Sequence, residues 1–259
     1  MKRPPRPRRS LRRWSATRDP LDWHIAMGTL TVIMLLCVIA SPPVRTLLLA
    51  LPGSLHQLLT TTKPLPPMTE DLFASVDAVG VLAIGHAEGN LTVSGDRTSL
   101  YWGHTDPGNF RRNQGWCSDQ GRGGGDANRA DQKCLERVQQ RLPKLVADLE
   151  SAGLDPGVHI EVFINAVDLY NQASPWVSVQ FPAQYAAARA QGKTGEMAIV
   201  WARVEAFRRR DRIDASGLIG ICRRENRPVS DWDCVAQDQR RRAQAIHRVL
   251  EHHTIPHGN

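Results

Sequence analysis

Apolar positions recur along the C-terminal three quarters of the chain at intervals that predict helices. Thr69, with Glu70 and Asp71 behind it, suits a helix start, and Leu72, Val76, Val79 and Ile84 follow at roughly helical spacing. The run Val81-Leu82-Ala83-Ile84-Gly85-His86-Ala87 carries this helix to Glu88, where Gly89 stops it. Residues 89–128 contain nine glycines and little periodicity, with short strands predicted at Leu91–Val93 and Ser99–Trp102. Helical spacing then returns. Ala130 to Ala152 is one long pattern, bent or broken at Pro143, and His159 to Gln172 places Ile160, Phe163, Ile164 and Val167 on one face and Asn165, Asp168 and Gln172 on another. A short Ala-rich helix is predicted at Gln184 to Ala190. Glu196 to Arg208 is expected to bury Met197, Val200, Trp201, Val204 and Phe207, and Val229 to His252 to bury Val235, Ala236, Ala243, Ile246 and Leu250. Nothing repeats at a fixed period. The pattern predicts an α+β fold, mainly α, with a small β region just after the first helix.

The N-terminal quarter reads differently. No charge falls between Asp22 and Arg45, and Ile25 to Ala40 is apolar apart from two Thr and one Gly. This is near the lower limit of the roughly 17–25 residues that span a bilayer. The expected division is a basic cytoplasmic tail (1–22), a transmembrane anchor (23–44), a linker rich in Pro and Leu (45–68) and a folded body (69–259). Basic residues before the apolar segment place the body outside the cytoplasm, at the inner or plasma membrane. The rival is a signal peptide cleaved near Ala40, which would release the body.

Charge narrows the partners. The first twenty residues hold eight Lys/Arg and one acid, which accounts for the whole formal net charge of +7, and the rest balances 25 bases against 25 acids. A neutral body has no general attraction for nucleic acid, so none is expected as a partner. Besides Cys37 in the apolar segment there are four cysteines, Cys117, Cys134, Cys222 and Cys234, an even number suited to an exported body. Three pairings are possible. Cys117–Cys134 and Cys222–Cys234 are sequence neighbours, and each would close a loop worth about 3 kcal/mol. The spacings match no zinc ligand pattern, and no cofactor is expected.

Glu88 is the leading candidate for chemistry. Burial and the partial negative charge of a helix C-terminus both disfavour the charged form of a carboxylate that ends a buried helix, so this position is expected to favour a protonated acid. A carboxylic acid still protonated near neutral pH is what glycoside cleavage requires. Tyr101 and Trp102 offer flat apolar faces to sugar rings, while Asn109, Asn113 and Gln120 offer hydrogen bonds to N-acetyl and hydroxyl groups. Asp168 and Gln172, with Asn165, are placed to line an opposite wall.

A buried helix ending in Ala87-Glu88-Gly89-Asn90, followed by a small irregular β region and a helical lobe, resembles the lysozyme-like superfamily. Tyr101-Trp102-Gly103-His104-Thr105-Asp106-Pro107-Gly108-Asn109, with Asn113, Gly115 and Asp119-Gln120, is similar to a segment of bacterial, largely cyanobacterial, lysozyme-like proteins. Asp168-Leu169-Tyr170-Asn171-Gln172 and Asp238-Gln239-Arg240-Arg241 resemble further parts of the same set. The resemblance covers about residues 73–250. It implies cleavage of the β-1,4 bond between the sugars of peptidoglycan, with Glu88 as general acid. It adds Asp96 and Thr105 as catalytic candidates, and His104, Asp106 and Asn171 to the substrate-binding set. Lytic transglycosylases manage with the glutamate alone. Two other classes remain open: a lysozyme-like glycan-binding or scaffold protein without turnover, and a zinc hydrolase built on His86 and His104.

Overall fold

The computed structural model describes residues 67–254 except Gly108. The described residues belong to one compact unit. No helix among them is long and apolar enough to cross a membrane. The predicted anchor at 23–44 lies outside the described residues.

The fold is mainly helical with two small antiparallel hairpins. Helix α1 (Pro67–Asp71) is followed by a turn and then α2 (Val79–Glu88). The sequence predicts a single helix here, and the break has a packing cause. Phe73 is fully buried and meets Phe163 edge-on at 6.1 Å, and Gly80 sits against it so closely that a Cβ there would lie 2.6 Å from Phe73 Cζ. A continuous helix would carry Phe73 away from this contact.

Ser99–Trp102 forms a helical turn, α3, rather than the predicted strand, and the Leu91–Val93 region contributes one isolated bridge, Leu91 to Arg97. The true hairpin lies just beyond. Strand β1 (His104–Thr105) pairs with β2 (Arg112–Asn113) in the register His104 to Asn113 and Thr105 to Arg112.

Helix α4 (Ala127–Ser151) starts at Asp126, whose side chain accepts from the Arg129 N–H at 3.0 Å. It runs unbroken through Pro143, because that ring is on the exposed face while Leu142, Leu145, Val146 and Leu149 stay buried. Then follow α5 (Ile160–Gln172), α6 (Pro175–Ala190) and α7 (Gly195–Glu205). Helix α6 begins nine residues earlier than predicted, with Pro175 at its first position, where a missing N–H costs nothing. On α7, Ile199, Val200, Ala202 and Val204 are buried, but Met197 is exposed and Trp201 only half-buried. Hairpin β3 (Arg208–Arg209) and β4 (Arg212–Ile213) leads to α8 (Ser216–Arg224) and the closing helix α9 (Asp231–Thr254).

Helix α9 packs along α2, α7 and α5, and α2 also rests on α5. The disulfides Cys117–Cys134 and Cys222–Cys234, each with Cα atoms 6.2 Å apart, tie the loop after β2 to α4 and α8 to α9.

Candidate functional site

The apolar residues of α2 bury Val81, Ala83, Ile84 and Ala87 completely and bring its last residue, Glu88, to the wall of a groove of about 1030 Å³. The helix ends there for a local reason. Gly89 adopts φ 81°, a left-handed conformation, and the N–H groups of Asn90 and Leu91 turn back to the Gly85 carbonyl at 2.9 and 3.1 Å. Asn90 is fully buried and donates to the carbonyls of Gly115 (2.7 Å) and Trp116 (3.2 Å), pinning the loop that faces Glu88.

Glu88 is held by one oxygen. Oε1 accepts from Arg242 Nη2 at 2.5 Å and from Asn171 Nδ2 at 3.0 Å. Arginine and a carboxamide NH₂ only donate, so a proton on Glu88 belongs on Oε2. Asn171 also donates to the Cys117 carbonyl at 2.9 Å and accepts from Arg137 Nη2 at 2.7 Å.

Behind Glu88 lies a buried ionic network. Arg242 grips Asp168 with two bonds, Nε to Oδ2 at 2.9 Å and Nη2 to Oδ1 at 2.5 Å. Arg203, fully buried, donates to Asp168 at 2.6 Å, to Asn165 Oδ1 at 2.9 Å and to Gln239 Oε1 at 2.7 Å. Burial alone would push the Asp168 carboxyl up, but the two guanidinium groups outweigh it and hold it below the usual carboxylate range. Asp238 follows the same logic: burial opposes, yet Arg242, Arg241 and a bond from Gln172 Nε2 at 2.6 Å keep it low. Burial lowers Arg242, and the attraction of Asp168 and Glu88 more than reverses this, so its charge is secure.

The groove brings together most of the residues that the sequence singles out. Glu88, His104, Thr105, Asp106, Asn109, Asn113, Gln120, Asn171 and Gln172 all line it. Four do not. Tyr101 is 1% exposed and donates to Asp131 at 2.8 Å, so it is a core residue and not a sugar platform. Burial and the neighbouring Asp131 push its hydroxyl pKa up. Trp102 is exposed, but it is absent from the groove lining and packs edge-on against Tyr101. Asp168 is fully buried and clamped by two arginines, so it cannot touch a substrate; it supports Arg242 instead. Asp96 closes an exposed turn, accepting from Thr92 Oγ1 at 3.3 Å and Ser94 Oγ at 3.1 Å, and it is not a lining residue. Of the two histidines, His104 lines the groove and His86 does not. His86 Nδ1 is 3.0 Å from the Leu91 carbonyl and His104 Nδ1 is 2.9 Å from that of Leu100. Among the described residues no group of three or more His, Cys, Asp or Glu is placed to hold a metal ion.

The structure adds residues that sequence reasoning missed: Arg242, Arg137, Arg122 and Trp176 in the groove, and Arg203 behind it. Arg241 and Arg242 follow Asp238-Gln239 in a run of three arginines, which reads as a solvated helix face until the burial of Arg242 is known. Helix α8 also meets the β1–β2 loop. Arg224 on α8 donates to the Pro107 carbonyl in the β1–β2 loop at 2.5 Å, with its guanidinium 5.7 Å from the Phe110 ring.

A scan against protein-family models and searches of the curated proteins and of the solved structures each find no match to this chain.

Proposed function

We propose that this protein is a glycosidase of the cell envelope that cleaves β-1,4 bonds of peptidoglycan, with Glu88 as general acid. The observation that carries the reading is the setting of Glu88. It ends a buried helix at the wall of a groove lined by amides, a threonine and a tryptophan, and only one of its oxygens is engaged by the protein. Those side chains suit a polymer rich in hydroxyl and N-acetyl groups, and the Trp176 ring suits a sugar face.

In this reading Glu88, paired with Arg242 through Oε1, takes up a proton on Oε2 and gives it to the glycosidic oxygen as the bond to the anomeric carbon breaks. Arg242 and Asn171, both on Oε1, then stabilise the carboxylate that is left. Asp168 orients Arg242 from behind. Asp96 lies outside the groove. In one route Glu88 acts alone, next accepting the proton of the sugar's own 6-hydroxyl as that oxygen closes on the anomeric carbon; in the other a water attacks, with Asp106 or Asp214, which line the groove, as the second carboxylate. The product of the first route would have an anhydro end.

The test is digestion of peptidoglycan by the full chain and by Glu88→Gln side by side. The wild type is expected to release soluble fragments, and the variant to lose about 100-fold or more of the rate. Undiminished lysis by Glu88→Gln would sink the mechanism. Mass spectrometry of the fragments reports the route, since hydrolysis adds a water and anhydro ends do not.

The basic tail and apolar segment 23–44 support an extracytoplasmic body, on the side of the membrane where peptidoglycan lies.

A further inference from the structure

On α4, Lys133, Arg137 and Arg141 stand at positions i, i+4 and i+8, so they share one face of the helix. Lys133 Nζ reaches the backbone carbonyl of Arg122 at 3.0 Å and so draws a fourth cation to the same end. Arg122 and Arg137 both line the groove that holds Glu88. Neither forms an ion pair with an acid among the described residues. Asp119, whose charge acts on Arg122, gives its oxygens to the backbone N–H groups of Gln114, Gly121 and Gly123. The Nε atoms of Arg122, Arg137 and Arg141 are buried without a hydrogen-bond partner. Burial lowers the pKa of Arg122, and the like charge of Arg137 lowers it further.

The placement is rigid and close to the reacting residue. The guanidiniums of Arg137 and Arg141 lie 4.8 and 5.2 Å from the centre of the Tyr170 ring. Arg137 is joined to Glu88 through a single side chain, since Asn171 accepts from Arg137 and donates to Glu88. The other groove arginines, Arg241 and Arg242, have carboxylate partners in Asp238, Glu88 and Asp168. The unpaired positive charge is therefore concentrated at the α4 side.

We infer that Arg122 and Arg137 form an anion subsite for a carboxylate carried on the glycan strand, so that the substrate is an acidic, carboxylate-bearing glycan and not a neutral one. This rests on the glycan-cleaving reading above. Peptidoglycan offers such a carboxylate on the stem peptide, or on the lactyl group where the peptide has been removed. A guanidinium pair matches a carboxylate in charge and in hydrogen-bond geometry.

The test measures binding to the Glu88→Gln full chain, so that ligand is not consumed. The probes are soluble glycan fragments with free stem carboxylates, the same fragments with those carboxylates amidated, and peptide-free fragments with the lactyl carboxylate intact or reduced to the alcohol. At least one free acid is expected to bind ten-fold or more tightly than its neutral counterpart, and the difference should shrink as salt is raised. The stem pair or the lactyl pair, whichever shows it, identifies the source. Adding Arg122→Gln or Arg137→Gln should remove most of the difference, read as the ratio of acid to neutral affinity within each variant. Equal binding of acid and neutral forms in both pairs would overturn the subsite, and this comparison needs no arginine variant to fold. So would a difference that survives the double substitution. Failure of the two readings is separable. Charge-selective binding by a wild type that cleaves nothing removes the glycosidase and keeps the subsite. Cleavage without charge selectivity does the reverse.

Discussion

Arg242 is the residue on which the site depends most. It is buried at 4% exposure between two carboxylates, and its removal would leave Asp168 facing only Arg203 and Glu88 facing only Asn171. Breaking one member of a buried ionic network costs about 3–5 kcal/mol. Arg242→Met is therefore expected to lower the unfolding free energy by that amount in urea, and a loss below about 1 kcal/mol would contradict this account. The same residues set an acid limit. Asp168 and Asp238 have pKa values below the ordinary carboxylate value in the folded state. Their contribution is complete above the unfolded value of about 3.9 and is lost as pH falls from there through the lower folded value. Urea midpoints should thus decline below about pH 4. Asp168→Asn should be less stable at pH 7, with a shallower decline in acid.

At the scale of elements, Gly85 inside α2 and Gly89 just after it separate packing from backbone strain. A Cβ at Gly85 would lie 2.5 Å from Leu91 Cδ1 and 2.8 Å from its Cγ, and Leu91 is itself buried. Gly85→Ala gains helix propensity but overpacks this contact, a cost of about 1–3 kcal/mol. It should also shift the helix end, so turnover is expected to fall further than stability alone explains. At Gly89 the added Cβ meets nothing closer than 3.5 Å, and the penalty is the left-handed backbone alone, about 1–2 kcal/mol. Thermal melts and peptidoglycan turnover of the two variants, measured together, check the contrast. Comparable turnover per folded molecule in both would refute it.

For the whole molecule, the two disulfides close short loops, with sequence separations of 17 and 12. Each constrains the unfolded chain by about 3 kcal/mol. Reductant should lower the urea midpoint in two steps that are reproduced one at a time by paired Cys→Ser variants. The Cys117–Cys134 bond has a second role, because the Cys117 carbonyl accepts from Asn171 and Cys117 lines the groove. Cys117→Ser with Cys134→Ser is therefore expected to raise KM as well. A purely thermodynamic effect, with KM unchanged, would deny the loop any part in the groove.

What the sequence determines by itself is local. Periodicity locates α4, α5 and α9, because each buries one stripe of its surface and the stripe recurs every turn. Gly89 marks the end of α2, and Glu88 stands out because it sits between an apolar run and a polar loop. Four cysteines spaced as neighbours suggest the pairing that the structure has. What only the tertiary structure decides is which polar residues are buried. Arg203 reaches Asp168 across 35 positions, Arg242 reaches Asp168 across 74 and Glu88 across 154. No local pattern distinguishes these arginines from solvated ones, since a buried charge is stable only where its partners arrive from other elements. The same reason removes Tyr101 from the groove, through Asp131 thirty residues away, and leaves Met197 exposed on a helix whose spacing predicts it buried.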